Sequence, residues 1–339
     1  MDFKFCSKCV MDGSAEEITF DENGVCNFCH QAQNALKEIE EEKQNLPKMI
    51  ERIKKEGCIL GLSGGVDSST VLHLAVKLGI KPFCFSLDNG WNEPKADENI
   101  SNLVKKTGVP FEKVSVDPDV YKELQSAFIK AGLPNIEIPT DHILMAITYK
   151  MAVKHGVKWI LSGGNVATES IMPPSWGYSA RDLKHIKAVY KWATGEKLKG
   201  LPVCGLLKWN WYRWFKRLKT FYLLDYIDYN RDKAIELLEK EYDYKNYGEK
   251  HCESTWTWWF QNYYLYTKFG IDKRKAHFSS LINSGQMTRE KAMELLAYRP
   301  VYPELGIEKK VLTYHKHKHE DFPMDKWYGR ISKFVNFFK

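Results

Sequence analysis

The sequence predicts an α/β protein, a doubly wound parallel sheet with a cysteine module before it and a helical region after it. Three observations carry that reading. Short apolar runs alternate with helical patterns between residues 57 and 170. A Ser-Gly-Gly turn stands where the first of those runs meets the first helix. Two Cys-x-x-Cys pairs lie within the first 30 residues, too few residues to hold a core of their own.

The elements follow in order. Residues 31–56 read as helical, rich in Glu, Lys and Gln, and broken at Pro47. Cys58-Ile59-Leu60-Gly61-Leu62 is a run of buried-strand type. A helix then reaches Leu78 and closes at Gly79. Strands are expected at 81–87, 110–116 and 157–161, with helices at 94–107, 119–130 and 141–155. Right-handed crossovers place the C-terminal strand ends along one edge, where open α/β sheets bind ligands. Residues 171–220 read as irregular, basic and aromatic. Beyond them helices are expected at 231–242, 255–267, 273–283 and 288–297. This gives five segments: a cysteine module (1–30), a helical linker (31–56), the core (57–170), a substrate or partner region (171–300) and a tail (301–339).

Composition narrows the class. The chain has 339 residues, of which 44% are hydrophobic and 27% charged, which excludes a disordered or collagenous chain. No apolar run approaches the roughly 20 residues of a membrane span. The first residues, Met-Asp-Phe-Lys-Phe-Cys, lack an apolar export core, so a cytoplasmic location is expected. In a reducing compartment, paired cysteines point to metal rather than disulfides. The net charge of +7 is unevenly spread. Residues 181–219 carry eleven Lys/Arg against two Asp/Glu, whereas residues 1–56 carry eight against twelve.

The turn Ser63-Gly64-Gly65-Val66-Asp67-Ser68 has the chemistry of a phosphate cradle. Its glycines permit a tight bend and close approach. The N–H groups and dipole of the following helix favour an anion, and the two serine hydroxyls add donors. Asp67 would repel a phosphate directly, so its expected role is to hold Mg²⁺. The plain alternative is a Gly-Gly turn capped by serine. No Lys follows the glycines, so this is not the G-x-x-x-x-G-K-[ST] loop. The S-G-G-x-D-S pattern resembles that of the PP-loop ATP pyrophosphatases, the adenine-nucleotide alpha-hydrolase type. That resemblance implies ATP cleaved between its α and β phosphates. A second loop, Ser162-Gly163-Gly164-Asn165 through Glu169, is similar to the one completing the nucleotide site in related enzymes. Gly164, Asn165 and Glu169 join the expected ATP-binding set, although an Asn helix cap explains the pattern nearly as well. Asp88 and Asn89, at the end of the second strand, are expected near the adenosine, against the alternative of a plain Asp-Asn-Gly turn.

Cys6, Cys9, Cys26 and Cys29 form two pairs separated by 16 residues, the spacing of a zinc-knuckle site. Four thiolates leave no open coordination position, so the Zn²⁺ would be structural, with iron as the rival. The remaining cysteines, Cys58, Cys84, Cys204 and Cys252, read as small buried residues.

Taken together, these motifs resemble the N-acetyl sugar amidotransferases of bacterial surface-polysaccharide biosynthesis. The later segments Tyr247-Gly248-Glu249-Lys250-His251-Cys252-Glu253-Ser254 and Lys268-Phe269-Gly270-Ile271-Asp272-Lys273-Arg274-Lys275-Ala276-His277 carry the resemblance most specifically. It implies conversion of an acetamido group to an acetamidino group on a UDP-linked amino sugar. Ammonia would come from a glutaminase subunit resembling the histidine-pathway enzyme, through a cyclase-like subunit. Asp67, Lys273, Arg274, His251 and Glu253 are the catalytic candidates. Lys273 and Arg274 would offset charge on the departing pyrophosphate, although cations on a solvated helix face are the simpler reading. His251 and Glu253 would bind substrate or handle protons.

The stretch Lys208-Trp209-Asn210-Trp211-Tyr212-Arg213-Trp214-Phe215-Lys216-Arg217 interleaves cations with aromatics. It suits a nucleotide-sugar diphosphate, a partner or an anionic membrane, and a helix half buried in aromatic core explains it about as well. His315-Lys316-His317-Lys318-His319 reads as solvated tail. Two rival functions remain. A tRNA-thiolating PP-loop enzyme would suit the basic patch but usually carries further catalytic cysteines, so no nucleic acid partner is expected. A non-catalytic zinc-knuckle scaffold is disfavoured by the intact phosphate loop.

Overall fold

The computed structural model of the chain describes residues 4–248 and 252–325. Helix α1 (Asn27–Glu42) begins at the second cysteine pair, and α2 (Leu46–Glu56) follows after a 3₁₀ turn. Pro47 thus opens the second helix rather than breaking a single one. Its missing N–H falls in a first turn, where no intrahelical acceptor exists anyway.

The core then alternates: β1 (Cys58–Gly61), α3 (Val66–Lys77), β2 (Phe83–Asp88), α4 (Pro94–Thr107), β3 (Phe111–Ser115), α5 (Pro118–Ala131), α6 (Ile138–Lys154) and β4 (Trp159–Leu161). The helix expected at 94–107 has those bounds, and it stops at Gly108, whose φ of 65° suits a residue without a Cβ. After a short α7 (Val166–Glu169) come α8 (Leu183–Thr194), α9 (Leu206–Asn210), a π-helical turn (Trp211–Phe215) and β5 (Lys219–Phe221). The region read as irregular therefore supplies a fifth strand outside 57–170. β5 is three residues long, too short for alternation to register, and two of the three are exposed. Helix α8 was obscured by its lysines. It nonetheless buries Ile186, Val189 and Tyr190 at helical spacing and is capped by Asp182.

All five strands are parallel, in the order β3-β2-β1-β4-β5. The chain builds outward from β1 to β3, then returns to the other side of β1 for β4. The reversal between β1 and β4 is the switch point at which α/β sheets hold ligands. Strand alternation splits the apolar side chains into two layers. Ile59, Phe85 and Ile160 join the layer under α5 and α6. Cys58, Leu60, Cys84, Trp159 and Leu161 face α3 and α4 in the other.

The C-terminal region comprises α10 (Arg231–Tyr242), α11 (Thr255–Trp259) running into a π-helical stretch (Phe260–Phe269), α12 (Arg274–Asn283), α13 (Arg289–Leu296) and α14 (Glu308–Thr313). It packs back on the sheet: Tyr242 and Leu238 of α10 belong to the α3/α4 layer, and Trp259 and Tyr264 to the other. The tail departs from its reading as solvated. His319 is buried, and its Nδ1 lies 3.1 Å from His185 Nε2. Burial pulls His185 down to about 4 and His319 down to about 3, so both imidazoles stay neutral at physiological pH. Alternation with lysine leaves every second side chain free to turn inward, which composition alone does not reveal. Among the described residues no helix is long and apolar enough to cross a membrane.

Candidate active site and metal centre

A cleft of about 1130 Å³ opens along the C-terminal ends of β1, β2, β4 and β5, at the switch point. The turn between β1 and α3 forms one wall, through Ser63, Asp67 and Ser68. Gly64 is required there twice over. Its φ is +77°, and an added Cβ would lie 2.4 Å from the Ala96 carbonyl oxygen. The Gly64 carbonyl is held by the hydroxyls of Tyr244 (3.1 Å) and Tyr247 (3.0 Å) and by the Asn99 amide (3.4 Å). Burial pushes both tyrosines up, so they remain neutral donors. The Ser63 and Ser68 hydroxyls lie 3.2 Å apart, and Ser63 Oγ accepts from Gly65 N–H at 3.2 Å. Helix α3 starts at Gly65 with no side-chain cap. By contrast, α5, α8 and α10 are capped by Asp117, Asp182 and Asn230. The side chain of Val66 packs into the core, so its main chain is what it can offer an anion.

The second loop abuts the first. A Cβ at Gly163 would sit 3.0 Å from the Ser68 nitrogen, so glycine allows the two turns to touch. Gly164 and Glu169 line the cleft. Asn165 does not: its Oδ1 accepts from Thr168 N–H at 2.9 Å and its Nδ2 donates to Gly163 O. Its side chain is used as a helix cap rather than turned toward a ligand. Glu253 reaches the phosphate loop, with its Oε1 placed 3.2 Å from where a Gly65 Cβ would stand. Tyr229 donates its hydroxyl to Asp67 Oδ1. Carboxylates of Asp67, Glu169 and Glu253 thus surround the paired turns, a donor set of the oxygen type that Mg²⁺ takes.

Three further sequence expectations need correction or fall outside the described residues. Asp88 pairs with Lys113 at 3.2 Å, on the side of its strand away from the cleft lining. Its neighbour Asn89 lines the cleft instead. Strand alternation sends adjacent side chains to opposite faces. Arg274 borders the cleft, but its guanidinium is committed. It donates to Asp272 at 2.7 and 3.0 Å and to the carbonyls of Leu295 and Tyr298 at 3.2 and 2.8 Å. It is a clamp between α12 and α13, with four of its five N–H donors engaged within the protein. His251 lies outside the described residues.

Lys273 lines the cleft with two carboxyls that sequence reasoning missed, Glu137 and Asp141, and its charge acts on both. They stand one turn apart at the start of α6, and the Glu137 carboxylate accepts from Thr257 Oγ1 at 2.8 Å. Burial and then the charge of Asp141 push Glu137 up to about 8, against the pull of Thr257 and Lys273. Burial pushes Asp141 up to about 6, opposed by Lys273. Asp141 is open to the cleft, yet protein packs deeply around that wall. The signal available was a like-charged pair at i,i+4 beside Pro139, an arrangement that costs a helix stability.

The four module cysteines are fully buried, and their sulfurs all lie within 4.8 Å of one another. Cys6–Cys29 and Cys9–Cys26 stand 3.9 and 3.7 Å apart. Tetrahedral zinc with bonds of about 2.3 Å sets sulfurs about 3.8 Å apart, so the cluster is compatible with zinc. Amide N–H groups of Lys8, Cys9, Met11 and Cys26 point at these sulfurs at 3.2–3.4 Å, and Asn283 Nδ2 reaches Cys29 at 3.3 Å. Such donors favour thiolates. Donation from Cys26 and Cys29 pulls the Cys6 thiol well down. Helix α12 fixes the module: Lys275 pairs with buried Asp12 at 2.5 Å, and Ser279 Oγ accepts from Val10 N–H. The same helix holds the second loop through Ser280 to Ile171 N and His277 to Thr168 O. Cys58, Cys84, Cys204 and Cys252 are buried and do not line the cleft.

Residues 38–203 match the NAD synthase family, and residues 253–334 match the C-terminal domain of the LPS biosynthesis protein WbpG-like family. The chain is 29% identical over 168 residues to the NH(3)-dependent NAD(+) synthetase of Pyrococcus horikoshii, covering 46% of this chain and 63% of that one. It is 32% identical over 125 residues to the glutamine-hydrolyzing GMP synthase of Wigglesworthia glossinidia brevipalpis, covering 34% of this chain and 22% of the relative. The chain therefore spans less than two thirds of the length of either relative. Among solved structures, NMN synthetase from Francisella tularensis is 20% identical, with a TM-score of 0.32 over 41% of this chain and 60% of that chain. NAD+ synthetase from Burkholderia pseudomallei is 16% identical, with a TM-score of 0.30 over 64% and 99%.

Sheet order, phosphate turn and the NAD-synthase match together define a PP-loop protein. The C-terminal match, joined to that core, supports the WbpG-like LPS biosynthesis family within that superfamily.

Proposed function

We propose that the chain is an ATP-dependent, AMP-forming amidotransferase that converts an acetamido group of a UDP-linked amino sugar into an acetamidino group. The observation that carries this reading is one cleft holding the phosphate turn beside Lys273, Glu137 and Asp141. An acetamide carbon resists ammonia because its oxygen is a poor leaving group. Attack of the amide oxygen on the α-phosphorus, with loss of pyrophosphate, makes that oxygen part of an AMP leaving group. Ammonia then adds to the carbon, AMP departs with the oxygen, and a proton is released. No covalent enzyme nucleophile is needed. The protein's task is positioning and charge neutralisation.

In this scheme the main chain of 63–68 receives the phosphates, and Asp67 with Glu169 would hold Mg²⁺, which lowers the charge on the departing pyrophosphate. Lys273 supplies a cation in the same cleft. Glu253 stands at the phosphate turn. The cysteine module is a structural zinc site. Free ammonia would be delivered by a glutaminase and a cyclase-like subunit in the cytoplasm. That no described cysteine outside the module lines the cleft weighs against tRNA thiolation. Mass spectrometry of UDP-diacetamido sugars incubated with the protein, ATP, Mg²⁺ and an ammonium salt tests the reading. The expected product is lighter by the exchange of O for NH. Unchanged sugars across the panel, with ATP bound, would overturn the substrate assignment.

A further inference from the structure

We infer that the segment from α9 through the π-helical turn is an insertion element that seats the protein on an anionic membrane surface. Its apolar side chains divide sharply. Trp209 and Tyr212 are buried at 7% and 3% exposure, whereas Leu207, Trp214 and Phe215 are 86%, 70% and 79% exposed and Trp211 is 40% exposed. Leu207, Trp211, Trp214 and Phe215 follow the i, i+4, i+7, i+8 spacing of one helical face. Side chains that exposed protrude from the surface, and none of the four lines the cleft. The buried face is anchored: Tyr149 packs against Trp209 at 5.0 Å and Tyr212 at 5.4 Å. The protruding face is thus held out by a fixed base.

Charge completes the pattern. Lys197, Lys199, Lys208, Arg213, Lys216, Arg217 and Lys219 all fall within residues 197–221, which contain no Asp or Glu. Lys216 folds over Trp211, with Nζ 4.8 Å from the ring. A tip of Trp, Phe and Leu ringed by Lys and Arg is what lies in the interface of an anionic bilayer. The apolar groups enter the acyl boundary and the cations meet lipid phosphates. Protein interfaces are depleted of lysine, whereas five of the seven cations here are Lys197, Lys199, Lys208, Lys216 and Lys219. Tyr149 also lines the cleft, so the seat lies directly behind the cleft wall.

The test is co-sedimentation of the full chain with vesicles of phosphatidylethanolamine and phosphatidylglycerol, and with vesicles of phosphatidylcholine alone. It needs no turnover, so its outcome is separate from that of the proposed reaction. The expected result is binding to the anionic vesicles only, weakened by salt. Trp214→Ser with Phe215→Ser should lower that binding by about tenfold or more while the unfolding midpoint is unchanged. Should that variant fold poorly, Lys208→Gln with Arg213→Gln on exposed side chains should give a similar loss on anionic vesicles. Failure of the wild type to bind anionic vesicles would overturn the inference. So would binding that survives both double substitutions, or a concentration-dependent oligomer that the same substitutions dissociate.

Discussion

The phosphate turn and the cysteine cluster are both short stretches of main chain arranged for an ion, and they differ in what they leave open. The cluster is closed: four sulfurs at 0% exposure, each direction taken by another sulfur or an amide. The turn faces a cleft of about 1130 Å³ and begins a helix that carries no side-chain cap. A closed donor set stabilises a fold, whereas an open one can exchange ligands. Helix α12 joins the two, gripping the module through Lys275 and Ser279 and the second loop through Ser280 and His277. Damage to the module should therefore reach the cleft as loss of rigidity, while damage at the turn should leave the module intact.

The largest effect expected at the open site is that of Asp67→Ala. Formation of AMP and pyrophosphate should fall about 10²–10³-fold, with metal content unchanged and the unfolding midpoint lowered only by the few degrees that loss of the Tyr229 bond entails, as checked by nucleotide chromatography and calorimetry. Retention of near-full turnover would remove the turn from the site. Lys273→Ala and Arg274→Ala then separate function from scaffold at adjacent positions. Lys273→Ala should lower turnover by about 10²-fold with little change in stability. Arg274→Ala breaks a largely buried pair with Asp272 and should cost about 3 kcal/mol in chemical denaturation. If the two phenotypes were exchanged, the assignment of the clamp would be wrong.

At the closed site, Cys6→Ser or chelation should remove metal and lower the unfolding midpoint by several degrees, measured by elemental analysis and calorimetry. Isolated turn chemistry should then decline only in parallel with folding. A smaller effect concerns pH. Glu137 keeps its proton to about 8 in the folded chain, well above the value of an unfolded glutamate. The unfolded state ionises first, so this group withdraws stability as pH rises from about 5 to about 8. Glu137→Gln should flatten the fall of the unfolding midpoint across that window. An unchanged slope would mean that the carboxyl is already ionised in the fold.

What was legible in the sequence was local. The turn at 63–68, the cysteine pairs and the helix at 94–107 depend on residues a few positions apart, where spacing carries the chemistry. What escaped depends on contacts across the chain. Tyr244 and Tyr247 hold the Gly64 carbonyl from about 180 residues away. Glu137 gains its shifted proton affinity from burial that no local pattern encodes. The β5 strand exists because β4 offers it an edge, since Lys-Thr-Phe alone has no strand signal. Arg274 was misread for the opposite reason. Its partner, Asp272, stands two residues earlier, and an ion pair so close in sequence competes directly with a ligand role.

The account turns on the amide oxygen leaving with AMP. A UDP-acetamido sugar labelled with oxygen-18 in its acetyl carbonyl, turned over with ATP, Mg²⁺ and ammonium, measures this directly. The label is expected in the phosphate of AMP, with pyrophosphate unlabelled. Label recovered in pyrophosphate, in inorganic phosphate or still in the sugar product would contradict it.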